Sequence, residues 1–400
     1  MSRRDANAQA WRVLAARGLR ALADGFVAVL LPAYLLALGF NTFDVGILAT
    51  ATLLGSALAT LAIGAWGARF EPRRLLLASA WLMVGTGVGF VAFDAFWPLL
   101  LVAFVGTLNP SSGDVSVFLP LEHARLAQAA SGAARTTLFA RYSVVGALCA
   151  ALGALAAGVP QWLAGAWGVA WLDALRAMFV LHAAIAVAVW WLYRGLPTVV
   201  IEGEPPPAAL GPSRRVVVRL AALFAVDAFA GGLVVNSLLS LWLFQRFGLS
   251  LAQAGAFFFW TGLLSAASQF AAPRVAQRFG LLNTMVFTHL PSSVCLVLAA
   301  LAPSLPAALV LLSLRSALSQ MDVPTRSAYV MAVVTPAERT AAASFTAVPR
   351  SLAAALSPSL AGALFAAGWL AAPMVACGLL KIAYDLALWR ACRRDVLRDP

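Results

Sequence analysis

FVGTLNPSSGDVSVFLPLEHARLAQAASGAARTTLFARYSVVG, residues 104–146, decides how this chain is read. It is a hydrophobic run carrying Asp114, a short charged elbow with Glu122, His123, Arg125 and Arg135, and a second hydrophobic run carrying Arg141. The pattern returns as LLSLRSALSQMDVPTRSAYVMAVVTPAERTAAASFTAVPRSLAAAL, residues 311–356, where Asp322 repeats Asp114 and Arg350 repeats Arg141. At a shift of 209 residues Gly46 meets Gly255, Arg69-Phe70 meets Arg278-Phe279, Arg141 meets Arg350, and Gly153 meets Gly362. The aspartates match at 208, so one small indel separates two parallel copies of one unit. Each copy sets an acid and a base inside apolar sequence.

Composition explains the setting. The chain is 62% hydrophobic and 11% charged, with a mean hydropathy of +0.87. Soluble domains are nearer a quarter charged. Residues 25–43, 45–68, 75–93, 95–113, 228–245, 247–273 and 351–380 contain no Asp, Glu, Lys or Arg. About 20 apolar residues cross a bilayer as a helix. Runs this long, without strict alternation, argue for helices and against a membrane barrel.

Twelve crossings are predicted, at 17–38, 43–66, 73–93, 97–119, 134–158, 170–193, 217–245, 250–272, 281–302, 305–331, 340–367 and 370–391. The formal charge of +12 is a matter of topology, not of nucleic acid. With the N-terminus inside, cations crowd the inner segments, from Arg3, Arg4, Arg12, Arg17 and Arg20 to Arg390, Arg393 and Arg394, and Arg246 is left alone outside. That asymmetry predicts a multi-pass protein of the cytoplasmic membrane with both termini cytoplasmic and the start of the chain retained. Residues 194–215, RGLPTVVIEGEPPPAALGPSRR, read as a proline-rich linker. The expected division is therefore 1–195, a cytoplasmic linker at 196–215, and 216–400. The four cysteines have no CxxC spacing, so neither a structural disulfide nor a metal site is expected.

Six helices plus six, a central linker and inner termini resemble the major facilitator superfamily. The loop GAWGARFEPRR, residues 64–74, is similar to that superfamily's signature G-x-x-x-D-[RK]-x-G-x-[RK]-[RK]. Gly64, Arg69, Arg73 and Arg74 match, while Ala68 replaces the acid and Glu71 the second glycine. PRVAQRFG at 273–280 is a looser copy, and SPSLAG at 357–362 is similar to the tail of an antiporter motif that the superfamily places in helix five. The resemblance implies an all-α membrane protein: twelve transmembrane helices in two six-helix bundles, related by a pseudo-two-fold along the membrane normal. It also implies that helices one, four, seven and ten line a central cavity.

Each of those four helices carries a carboxylate: Asp24, Asp114, Asp227 and Asp322. A buried acid is costly unless paired or watered, so such residues mark pathways. Asp114 with Arg141, and Asp322 with Arg350, are expected as ion pairs with a gating or purely structural role, Arg69 and Arg278 lying nearby. Asp24 and Asp227 are candidates for proton coupling, since a desolvated carboxylate can exchange a proton near neutrality. A solvated or helix-bridging acid is the competing reading for both. Lys381 and Asp385, four apart, and Asp173 and Arg176, three apart, are expected to neutralise each other locally. His182 and His289 are expected to be packing donors. Tyr34, Asn109, Ser112, Asn236, Trp242, Gln269, Arg315, Gln320 and Tyr329 are candidates for the solute cavity, and Pro110 and Pro324 suggest helix breaks beside the acids.

These features imply a secondary transporter that moves a small solute by rocking two halves about a midplane site, by proton-coupled efflux or, alternatively, by proton-coupled uptake. A non-transporting membrane sensor is a third reading. No phosphate-binding loop of the G-x-x-x-x-G-K-[ST] type and no HExxH occurs, so neither ATP nor enzymatic chemistry is expected. The expected partners are a small-molecule solute, protons and the lipid bilayer, with no cofactor, no nucleic acid and a monomeric state.

Overall fold

The computed structural model describes residues 3–111, 117–129, 132–198, 210–335 and 338–396. Among them the chain forms α1 (Arg3–Ala37), α2 (Thr42–Trp66), a 3-10 turn at Gly67–Arg69, α3 (Pro72–Ala92), α4 (Phe96–Val105), α5 (Phe118–Ala129), α6 (Gly132–Ala156), α7 (Val159–Trp167) and α8 (Trp171–Arg194). There follow α9 (Arg214–Gly232), α10 (Asn236–Phe247), α11 (Leu251–Phe279), α12 (Leu281–Ala300), α13 (Leu305–Ser319), α14 (Asp322–Ala332), α15 (Arg339–Ala366) and α16 (Ala372–Val396).

Every expected crossing has its helix or helix pair. Eight stretches among the described residues are by themselves long and apolar enough to span a bilayer. The other four depart for local reasons. In 97–119, α4 ends at Val105 and residues 106–111 are not helical, beside Pro110; 305–331 is broken at Gln320-Met321, beside Pro324. α11 and α15 have the length, but polar side chains and internal prolines (Pro273; Pro349 and Pro358) dilute their hydropathy.

The chain divides into two compact units, Met1–Gly203 with Asn236–Phe259, and Glu204–Val235 with Trp260–Pro400. The residues α10 and the start of α11 were expected in the second half; here they pack with the first. Ser237 N–H donates to the Pro110 carbonyl (3.0 Å), a carbonyl freed by the break in helix four, and Ala252 N–H donates to Gln161 Oε1 (3.2 Å).

The duplication shows in the packing of each unit. α1 lies on α6, α3 on α8 and α1 on α8 in the first; the equivalents α9 on α15, α12 on α16 and α9 on α16 build the second. Small residues allow the closest of these approaches. Gly25 and Gly153 sit where α1 and α6 meet, each directly against backbone of the other helix, and Gly232 does the same for α9 against Ala354 of α15. A Cβ has no room there, which is how helices associate where burial from water offers no drive. Gly39 and Gly248, 209 apart, both take left-handed backbone (φ 87° and 63°) at the turn after the first helix of their copy. α2 then starts on a reciprocal cap: Asp44 N–H donates to Asn41 Oδ1 (3.0 Å), and Asn41 N–H to Asp44 Oδ2 (3.1 Å).

Candidate functional site

Among the described residues, each unit holds one main network of paired, buried charges, and neither is built on the pair that the repeat suggests. In the first unit the centre is Glu122 on α5, fully buried. It accepts hydrogen bonds from Arg20 on α1, from the Tyr142 hydroxyl on α6 (2.6 Å) and from the Tyr193 hydroxyl on α8 (2.6 Å). The Arg20 guanidinium also lies over the Phe118 ring, 4.1 Å from its centroid. Asp24, one turn along α1 from Arg20, is buried and within electrostatic reach of it. A carboxylate with three donors and a stacked cation is how an ion pair survives out of water.

α1 runs as one helix from Arg3, which carries Arg17 and Arg20 into the packed interior instead of leaving them among the inner loop cations. Asp114, the expected partner of Arg141, and Ser112 lie outside the described residues. Arg141 itself is exposed.

The second unit carries the larger network. Asp227 on α9 accepts from Lys381 Nζ on α16 at its Oδ1 (2.5 Å) and from Arg326 Nη1 on α14 at its Oδ2 (2.9 Å). Arg326 turns its other nitrogen to Asp322, one turn back on α14 (3.0 Å). His289 on α12 sets Nδ1 3.0 Å from both oxygens of Asp385 on α16. Its Nε2 faces Lys381 Nζ (3.4 Å) and Asp227 Oδ1 (3.8 Å). Arg350 on α15 is exposed, yet within electrostatic reach of Arg326, Asp227, Asp322 and Tyr384.

Asp227 has the geometry of the helix-bridging acid, since cations from two other helices reach it. Four expectations change. Lys381 and Asp385 do not neutralise each other; each finds a better partner across a helix interface. Asp322 pairs with Arg326 on its own helix, and no direct Asp322–Arg350 bond forms among the described residues. His289 is part of a charge network and not a lone packing donor. His182 is buried on α8 as a packing residue would be, but it is not the expected donor, because neither ring nitrogen is hydrogen-bonded among the described residues. Arg176 pairs with Asp173 (3.6 Å), as its spacing implies, and more closely with Asp94 (2.6 Å).

The cavity candidates scatter. Tyr34 is sealed among Phe90 and Phe179 and donates to the Phe90 carbonyl, so it packs helices and faces no open space. Trp242 is likewise buried, against Phe247, with its indole N–H unbonded. Asn109 is buried at the break after α4, its Oδ1 accepting from the Ser111 hydroxyl (2.7 Å), and Asn236 opens α10 half-buried. Gln269 and Gln320 meet at 3.5 Å between α11 and the end of α13. Tyr329 is buried in an apolar cluster with Phe224 and Tyr384. Arg315 on α13 is half-buried, its carbonyl accepting from the Ser292 hydroxyl (3.3 Å). Arg69 and Arg278 are exposed at helix ends, the latter over Phe279.

Comparison with known proteins agrees with this architecture. The Major Facilitator Superfamily family model matches twice, over residues 13–225 and 220–398. An uncharacterized membrane protein of Saccharomyces cerevisiae, YJR124C, is 24% identical over 406 residues, covering 92% of this chain and 91% of that protein. Among solved structures, a mutant of the nucleoside transporter NupG is similar with a TM-score of 0.74 at 14% identity, over 96% of this chain and 99% of that one. A bacterial homologue of the human lysosomal transporter Spinster, inward-facing and unoccupied, gives 0.72 at 16% identity over 99% of each chain. Two matched repeats that together span nearly the whole sequence, on this all-helical fold, establish that the chain belongs to the major facilitator superfamily.

Proposed function

We propose that this secondary transporter, working by alternating access, exports a small solute in exchange for protons across the cytoplasmic membrane, with both chain ends on the cytoplasmic side. The observation that carries the reading is the second unit's buried network, in which Asp227 is shared by Lys381 and Arg326 while His289 bridges to Asp385. Ionised groups inside a membrane protein are costly to keep, and proton relays are among the uses that retain them. Carboxylates already held by protein cations must exchange partners to take up another load. Proton and solute would therefore exclude each other, which is the condition for exchange; against an inward proton gradient, exchange means export.

In this reading Asp24 and Asp227 are the proton-coupled acids. Asp322, Arg350, Arg141, Asp114, Arg69 and Arg278 serve the gates, and Asn109, Asn236, Gln269, Arg315 and Gln320 supply polar contacts to the solute. The protein acts as a monomer in the bilayer.

The test uses proteoliposomes loaded with a pH-sensitive dye. A pH gradient is imposed and solutes are added by class: nucleosides, organic anions, organic cations and sugars. At least one class should move protons in the direction opposite to the solute. Asp24→Asn and Asp227→Asn should each abolish proton movement while solute binding persists. Unchanged coupling in both variants removes them as coupling residues, and proton and solute moving together would replace export by uptake.

A further inference from the structure

We infer that His289, seated on Asp385, is the group in the second unit that takes up the proton, and that its protonation exchanges the partner of Asp227 from Lys381 to His289. This rests on the proton-coupled reading above and places the proton of the second unit on the imidazole beside Asp227, whose partner exchange then couples the acid to it.

The two faces of the imidazole carry the argument. Nδ1 is equidistant, at 3.0 Å, from the two oxygens of Asp385, so it bears a hydrogen and donates to that carboxylate. That bond fixes the tautomer and leaves the Nε2 lone pair for the far side. There Nε2 lies 3.4 Å from the Lys381 ammonium and 3.8 Å from Asp227 Oδ1. The neutral ring accepts from Lys381, which at the same time donates to Asp227 at 2.5 Å. A proton on Nε2 reverses both relations: the new N–H opposes the ammonium and is drawn to Asp227 Oδ1. Lys381 and protonated His289 then compete for one oxygen, while Asp227 Oδ2 stays with Arg326.

The charged and titratable groups around the ring come from five helices. Asp385, Lys381 and Tyr384 lie on α16, Asp227 on α9, Asp322 and Arg326 on α14, and Arg315 on α13; Arg350 on α15 is exposed at the edge of the network. In direct contact with the ring stand two carboxylates (Asp385 and Asp227) and one ammonium (Lys381), while Arg326 reaches it only through Asp227 and is shared with Asp322. The mechanical consequence follows from which helix each partner belongs to. With the ring neutral, Asp227 links α9 to α16; with the ring charged, it links α9 to α12.

Only three histidines occur, His123, His182 and His289, so imidazole nitrogen NMR of histidine-labelled protein in nanodiscs can follow each ring. His123→Gln and His182→Gln identify the signals without touching the network. The expected result is an Nδ1–H tautomer that gives way to a doubly protonated ring on acidification, with Lys381→Met and Asp385→Asn each altering the balance between the two forms. A ring that keeps one neutral tautomer throughout, or a transition indifferent to Lys381→Met, overturns the inference. The dye-loaded proteoliposomes separate the two claims: proton flux that survives His289→Gln sinks the inference and leaves the reading standing, whereas a titrating His289 with no proton flux from any solute class sinks the reading alone.

Discussion

Lys381 Nζ lies 2.5 Å from Asp227 Oδ1, so the sole lysine of the chain ties α16 to α9 inside the second unit. Both side chains are largely removed from solvent, and a buried charge that loses its partner is worth about 3–5 kcal/mol. Lys381→Met leaves Asp227 with Arg326 alone, and Asp227→Asn leaves the ammonium beside a neutral amide. Each single change should lower the thermal stability of the detergent-solubilised protein. The double variant should be more stable than the sum of the two losses predicts. Additivity of the singles within about 0.5 kcal/mol would mean that the two groups do not interact.

Glu122 makes a different prediction, because its three donors are unequal. Arg20→Met strips the one direct cation among the described residues from a fully buried carboxylate and should cost about 3 kcal/mol or more. Tyr142→Phe and Tyr193→Phe each remove one hydroxyl donor from a carboxylate that keeps Arg20, and should cost about 1–3 kcal/mol. Thermal unfolding of the three variants in one detergent gives the ranking. A tyrosine variant that costs as much as Arg20→Met would show that the ion pair is not the centre of this network.

The fold was legible because apolar run length reports bilayer crossings directly, and because the 209-residue shift survives in Gly39 and Gly248 as well as in the sequence. The charge networks were not, since neither is repeated. At the repeat shift Arg20 falls against Phe229 and Glu122 against Val330 or Met331, so self-comparison passes over both. Glu122 stood beside His123 and Arg125 and read as part of a short charged elbow. The signal that could have corrected this is the spacing of Phe118, Leu121, Glu122 and Arg125, which places all four on one face of α5, and all four are buried. Spacing also misdirected. Lys381 and Asp385 are one turn apart, yet each is taken by a group from another helix, which no local pattern reveals. Asp322 and Arg326 were readable at i,i+4, but the duplicated arginine drew the pairing to Arg350.

Glu338, outside the spans at the start of α15, anchors the chain where it enters α9. Its carboxylate accepts from the Ser213 and Thr335 hydroxyls (2.6 Å each) and from the Gly211 amide (2.5 Å). Those hydrogen bonds, the Ser213 hydroxyl first, hold its pKa down at about 2, against an ordinary 4.5. A depressed carboxylate contributes stability that is fully present above its unfolded value and is lost as pH falls through its folded one. Protection of the Gly211 and Ser213 amides, measured against the intrinsic exchange rate at each pH, should therefore be high at pH 5 and fall as pH drops between 4.5 and about 2. Glu338→Gln should show the low protection at every pH. Protection that ignores both changes would mean that the bonds do not hold this segment.

The glycines between α1 and α6 give the sharpest steric prediction. A methyl at Gly153 would run into the Leu22 backbone carbonyl, and one at Gly25 into that of Ala150. Backbone cannot swing aside as a side chain can, so Gly153→Ala must part the helices and should cost about 1–3 kcal/mol, the usual range for overpacking. Gly64 is the control: it too is helical, on α2, but nothing lies near a Cβ placed there. Gly64→Ala should be neutral or stabilising by up to about 1 kcal/mol, through the better helix propensity of alanine. Thermal stability of the two single variants in the same detergent decides the matter, and equal melting temperatures would mean that α1 and α6 do not approach as closely as their backbones indicate.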